Sequence, residues 1–140
     1  MISYASIDDL VRQFGEQEAI ELSDRVRDGV ISNEVLQIAL DDATHEINGY
    51  LGRYSLPFKK TPPILKRHCV NIARFFLCEA SYLMMSEKIV DAYERAIRFL
   101  ERVANGSIPL LDDETEQVAE ADDLIMFPNQ SPSVFSRQNR

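Results

Sequence analysis

The sequence predicts an all-α fold: a compact bundle of three main helices, with one or two short N-terminal helices and a flexible acidic C-terminal arm. Three observations predict it. Apolar residues recur at spacings of three and four through three long segments. Serines stand as caps ahead of helical segments, and Gly or Pro residues punctuate them. No alternating apolar–polar run reads as a strand, and no internal repeat is found.

The elements follow in order. Ser6 with Asp9 forms a capping-box pattern, Leu10, Val11 and Phe14 supply one apolar face, and Gly15 is placed to end the helix. A short second helix spans about 16–22. The stretch "SDRVRDGVIS" is then a polar turn. Ser32 caps a longer helix expected over about 33–51, with Leu36, Ala39, Leu40, Ala43, Ile47, Tyr50 and Leu51 as its apolar stripe. Gly49 lies inside that pattern, where it suggests a close backbone approach, and Gly52 is expected to terminate it.

"RYSLPFKKTPP" connects to the next helix. Thr61 is the expected cap, and Pro62 and Pro63 suit a first turn, where no amide is needed. That helix is expected to reach about Met85. From Cys69 on it is apolar on most sides, through Val70, Ile72, Ala73, Phe75, Phe76, Leu77, Ala80, Tyr82 and Leu83. Only a stripe through Arg67, Asn71 and Arg74 is polar, so it should be the central, most enclosed helix. Ser86 caps the last long helix, which runs to about Asn105 with Gly106 as its stop. Ile89, Tyr93, Ala96, Leu100 and Val103 form its stripe, and Asp91–Arg95 and Glu94–Arg98 are acid-before-base pairs at i,i+4.

The periodicity fails from Ser107. Two units are therefore expected: a helical domain over 1–106 and a flexible acidic arm over 107–140. Residues 107–126 hold seven acids and no base. Leu124, Ile125, Met126, Phe127 and Phe135 are apolar islands in the arm, of the kind a docking segment needs.

The chain has 140 residues, 45% of them apolar, which suits one domain with a real core. No apolar run approaches the roughly 20 residues of a membrane span, and the start lacks a signal-peptide pattern. A cytoplasmic product with no membrane partner is the expectation. Cys69 and Cys78 fall on opposite faces of one helix and read as small buried hydrophobes rather than a disulfide. The net charge of −8 is unevenly spread. Residues 1–46 carry −8, residues 47–78 carry +6 without a single acid, and residues 79–140 carry −6. Blocks of opposite sign suggest surfaces that attract one another within or between copies.

Site chemistry is sparse. Residues 24–35 resemble a calcium loop at Asp24, Asp28 and Gly29, but Val26 and Val35 stand where two ligands should be, so a turn is expected instead. His45 and His68 belong to no metal-spaced set. The pairs Asp41–Asp42 and Asp122–Asp123 read as solvated faces. No phosphate loop or nucleophile motif occurs, so neither an enzyme nor a cofactor is expected. The candidate helix-turn-helix has about ten residues between its helices, where that motif has three or four. A nucleic-acid-binding or regulatory module built on Arg53, Lys59, Lys60, Lys66, Arg67 and Arg74 is kept as the alternative.

The segments "YASIDDLVRQFGEQEAIELSD", "EINGYLGRYSLP", "PPILKRHCVNIARFFL" and "YERAIRFLERVANG" together resemble a family of small proteins from Mu-like phages and prophages. The likeness covers about residues 3–110, and its most specific part is the Gly49–Pro57 corner. The family often has Asp where this chain has Asn48 and Asn71. The resemblance implies a head–tail connector, or head-completion component, in the neck of a virion assembled in the bacterial host cytoplasm. It implies self-assembly into a ring, commonly of twelve, beneath the portal protein. A further neck or tail-completion protein would dock on that ring, and packaged DNA would pass through without specific binding. A tail-completion or terminator role in the same virion is the near alternative. Candidate subunit or partner contacts are Arg53, Tyr54, Lys59, Lys60, Arg67 and Arg74, together with Leu124, Ile125, Met126, Phe127 and Phe135 of the arm.

Overall fold

The computed structural model describes residues 2–58, 60–81, 85–112 and 117–118. Five helices carry the described fold: α1 (Ile7–Phe14), α2 (Glu16–Ser23), α3 (Asn33–Asn48), α4 (Pro63–Glu79) and α5 (Glu87–Ala104). The chain is all-α in class, with one minor addition. A two-residue antiparallel ladder pairs β1 (Leu111–Asp112) with β2 (Gln117–Val118). Periodicity could not disclose that ladder, because two residues are too few to show a period of two.

Local chemistry explains each helix start. The Ser6 hydroxyl accepts from Asp9 N–H at 3.1 Å while the Asp9 carboxylate accepts from Ser6 N–H at 2.9 Å, a reciprocal capping box. The Ser32 and Ser86 hydroxyls accept from the amides of Val35 and Ile89 and cap α3 and α5. Gly15 separates α1 from α2 at φ +93°, a region a side chain would resist. The polar turn after α2 is closed by Asp24, whose carboxylate accepts from the amides of Asp28 and Gly29 at 3.0 and 2.8 Å. That carboxylate therefore serves the turn, and Gly29 takes φ +78° within it.

Three boundaries differ from expectation. α3 stops at Asn48, three residues before Leu51, and Gly49 rather than Gly52 is the cap. Short-range bonds tighten the exit: Gly49 N–H reaches both the His45 and Glu46 carbonyls, and Tyr50 N–H reaches Ile47. This steers Leu51 wholly into the core. Pro62 rather than Thr61 is the N-cap of α4, with Pro63 in its first turn. α4 ends at Glu79 rather than near Met85, because the amide and hydroxyl of Ser81 both turn back to the Cys78 carbonyl. Tyr82 and Leu83, counted above on the apolar face of α4, lie outside the described residues.

α4 is the central helix. It packs against α2, α3 and α5, while α1 packs on α2 and α3, with Asp9 of α1 near Lys66 early in α4 and Glu18 of α2 on Arg74 further along. Leu36, Leu40 and Ile47 of α3, Leu65, Val70 and Ile72 of α4, and Leu100 and Val103 of α5 are essentially sealed from solvent. Each such side chain contributes about 1.5–3 kcal/mol by leaving water. On the outer side of the α4–α5 seam, Phe75 stacks on Tyr93 with centroids 4.0 Å apart. Cys69 and Cys78 are both buried and neither is in a disulfide, and burial pushes both thiols above their ordinary range.

The chain stays on the fold past Gly106. Ile108 packs against the core, Leu110 is buried, and its amide donates to the Tyr54 hydroxyl. Residues 107–110, expected at the root of the arm, are thus fixed to the helical unit. Among the described residues no helix is long and apolar enough to cross a membrane.

Candidate interaction surface

The corner after α3 is held mostly by its own chain. Tyr54 is buried at 7% exposure, and its ring lies 6.3 Å from Phe58, which in turn lies 6.3 Å from Tyr4. The Tyr4 hydroxyl donates to the Asn48 side-chain oxygen, so a neutral amide at that position suffices as acceptor. Arg53 is half-buried, and its guanidinium lies over Gly106 at the end of α5: a Cβ built there would stand 2.7 Å from Arg53 Nη1. Tyr54 is thus turned into the core. Arg53 keeps a partly open edge.

The basic residues of α4 go to different places. Arg74 makes a two-point contact with Glu18, Nε to Oε2 at 2.7 Å and Nη2 to Oε1 at 3.2 Å, and its guanidinium sits 4.3 Å above the Phe14 ring. It clamps α4 to α1 and α2. Arg67 is exposed. Lys60 is exposed too, while Lys59 lies outside the described residues, as do Leu124, Ile125, Met126, Phe127, Phe135 and the Asp122–Asp123 pair.

Arg67 marks the middle of an open groove. On one side is a depression of about 510 Å³ lined by Asp9, Arg12, Gln13, Pro63, Lys66, Arg67 and Val70. On the other is one of about 350 Å³, sharing Gln13 and Arg67 and adding Asn71, Arg74, Lys88 and Arg95. Six cations and two carboxylates therefore line the pair. Both carboxylates are engaged. Asp9 Oδ1 lies 3.4 Å from Arg12 and 3.8 Å from Lys66, and Glu18 is held by Arg74. Partial burial pushes the Asp9 carboxyl up, but its bonds to Ser6 and the two cations outweigh that and hold it below the usual range. Arg67, Lys88 and Arg95 form no ion pair with any described residue. The Asp91–Arg95 and Glu94–Arg98 pairs expected along α5 are not formed among the described residues, and Arg95 faces the groove instead.

Three of these cations, Arg12, Lys88 and Arg95, were not among the candidates read from sequence. Lys88, Ala92 and Arg95 stand four and three apart, a stripe legible as one helical face. Nothing local says that this face meets α1 and α4. His68, next to Arg67 in α4 but lining neither depression, packs with its ring centroid 4.8 Å from that of Phe99. Burial, with the neighbouring Arg67 charge adding to it, lowers its pKa to about 4. The described residues hold no cluster of three or more His, Cys, Asp or Glu suited to a metal.

These features define a class: a small helical protein whose most organised chemistry is the charge on its outer faces. The family described as "Bacteriophage Mu, Gp36" matches residues 4–127, and the chain belongs to that family. It is 35% identical to "Mu-like prophage FluMu protein gp36" of Haemophilus influenzae, over 98% of this chain and 95% of that protein. It is 32% identical to "Gene product J" of Escherichia phage Mu, over 99% of this chain and 98% of the relative. The resemblance noted for 3–110 thus extends over nearly the whole chain, acidic segment included.

Proposed function

We propose that this chain is a structural component of the virion, a head–tail connector that assembles as a ring beneath the portal protein and lengthens the DNA channel. The observation that carries the proposal is the sorting of charge by element in a member of a Mu phage family. α2 and α3 carry acids and no Lys or Arg, whereas Arg12, Lys66, Arg67, Lys88 and Arg95 gather in one groove that no α3 residue lines. A ring of identical subunits needs two different patches on each copy, and patches of opposite sign meet that need. An acidic face turned to the channel would repel phosphate and keep DNA sliding freely. In this reading the chain works by shape and surface, carries out no reaction and uses no cofactor, and the next neck or tail-completion protein docks on the ring.

The test is to locate the polypeptide in purified particles, by mass spectrometry of virions and by gold-labelled tags in electron microscopy. Label at the neck, between portal and tail, is expected. Its absence from particles that retain their portal would overturn the proposal.

The same groove favours one second reading, a nucleic-acid module, since its cations could follow a phosphate backbone. Binding to duplex DNA at physiological salt, falling steeply as salt rises, would support that reading over the connector.

A further inference from the structure

Resting on the connector reading, we infer that the basic groove between α1, α4 and α5 is the receptor for the acidic segment 112–123 of a neighbouring copy of this chain. The segment reads "DDETEQVAEADD", seven acids and no base in twelve residues. The groove offers Arg67, Lys88 and Arg95, none paired with a described carboxylate, flanked by Arg12 and Lys66, which share Asp9. The segment and the groove are therefore complementary in sign, seven acids against five cations.

The geometry favours a neighbour over the chain's own segment. Leu110 is pinned near the C-terminal end of α5 by the Tyr54 hydroxyl. The ladder then pairs Leu111 with Val118, which returns the chain to where it left. Arg95 and Lys88 lie nine and sixteen residues back along α5 from Ala104, about 14 and 24 Å at the helical rise. Beyond Val118 only five residues lead to Asp123, at most about 17 Å of fully extended chain. One copy therefore cannot lay its whole acidic segment along its own groove. A second copy, placed head to tail, can. Donor and receptor are then different patches offset along the molecule, which is the arrangement that closes rings.

The test uses the full chain in solution and needs no virion. A photo-crosslinking residue replaces Gln13, which is exposed and lines both halves of the groove. Unlabelled and ¹⁵N-labelled chains are mixed, irradiated and digested. The expected result is mixed-isotope cross-links joining position 13 to peptides within 111–123. Their yield should fall about tenfold when salt rises from about 0.1 to about 0.5 M, as screening requires. Lys66→Glu with Arg67→Glu, both at exposed positions, should abolish them, with helicity checked by circular dichroism. Chains whose Glu120, Asp122 and Asp123 are changed to Lys should restore cross-linking to that reversed groove. Same-isotope products alone, products outside 111–123, or a yield indifferent to charge reversal would each overturn the inference. A failure here with label present at the neck would leave the connector standing, and cross-links from a chain missing from virions would do the converse.

Discussion

The hydroxyl of Tyr54 accepts a hydrogen bond from the backbone amide of Leu110, 3.1 Å away and 56 residues further along the chain. Both residues are buried. The bond ties the corner after α3 to the point where the chain leaves α5, so the acidic segment starts from a fixed place. Tyr54→Phe would keep the ring packing and leave the Leu110 amide buried without a partner. A loss of about 1–2 kcal/mol in urea denaturation is expected, together with faster hydrogen exchange at Leu110. Unchanged exchange there would show that the bond does not hold the exit.

Arg74 and Glu18 join helices far apart in sequence, with side chains only 14% and 28% exposed. A double-mutant cycle with Arg74→Ala and Glu18→Ala should give a coupling of about 1–2 kcal/mol, above the usual surface pair because the contact is two-pointed and partly desolvated. Arg74→Lys should recover less than half of it, since an ammonium neither forks onto the carboxylate nor lies flat on Phe14. Full rescue by Lys would reduce the contact to simple charge.

Gly106 holds φ +87°, and the Arg53 guanidinium sits where its Cβ would go. Two costs of Gly106→Ala can be separated. The left-handed backbone costs roughly 1–2 kcal/mol for a side chain, whereas the crowding is with the movable tip of Arg53. Gly106→Ala should therefore destabilise nearly as much in an Arg53→Ala background as in the parent chain. Relief of most of the loss by Arg53→Ala would show that crowding dominates.

Acid sensitivity should come in two windows. His68 is held neutral by burial, with help from the Arg67 charge, and its pKa falls from 6.5 to about 4. Its unfolded form takes up a proton first, so stability is full above pH 6.5 and declines as pH falls toward 4. The half-buried ring is partly screened by solvent, so the decline is on the order of 1–2 kcal/mol. A second loss follows at lower pH. There Asp9, Asp24 and Asp41, all held below their ordinary values by hydrogen bonds, take up protons. His68→Leu should flatten the first window in a plot of melting temperature against pH and leave the second. An unaltered profile would remove His68 as the cause.

What this sequence determined by itself was the set of local decisions. Ser6, Ser32 and Ser86 cap helices, and Gly15, Gly29 and Gly106 take left-handed backbone. The stripes of α3, α4 and α5 point inward, and α4 is the most enclosed. Each depends on chemistry within one or two turns, which spacing along a chain can express. The tertiary structure decided the rest. It stopped α3 at Asn48 to bury Leu51 and used up the Arg74 charge on Glu18. It turned Tyr54 inward to hold Leu110, and it set Arg12 beside Lys66 and Arg67, with Lys88 and Arg95 across Arg67 from them. These outcomes depend on which side chains meet once distant parts of the chain are packed together. Packing settles that through desolvation and distance, quantities that no periodicity encodes.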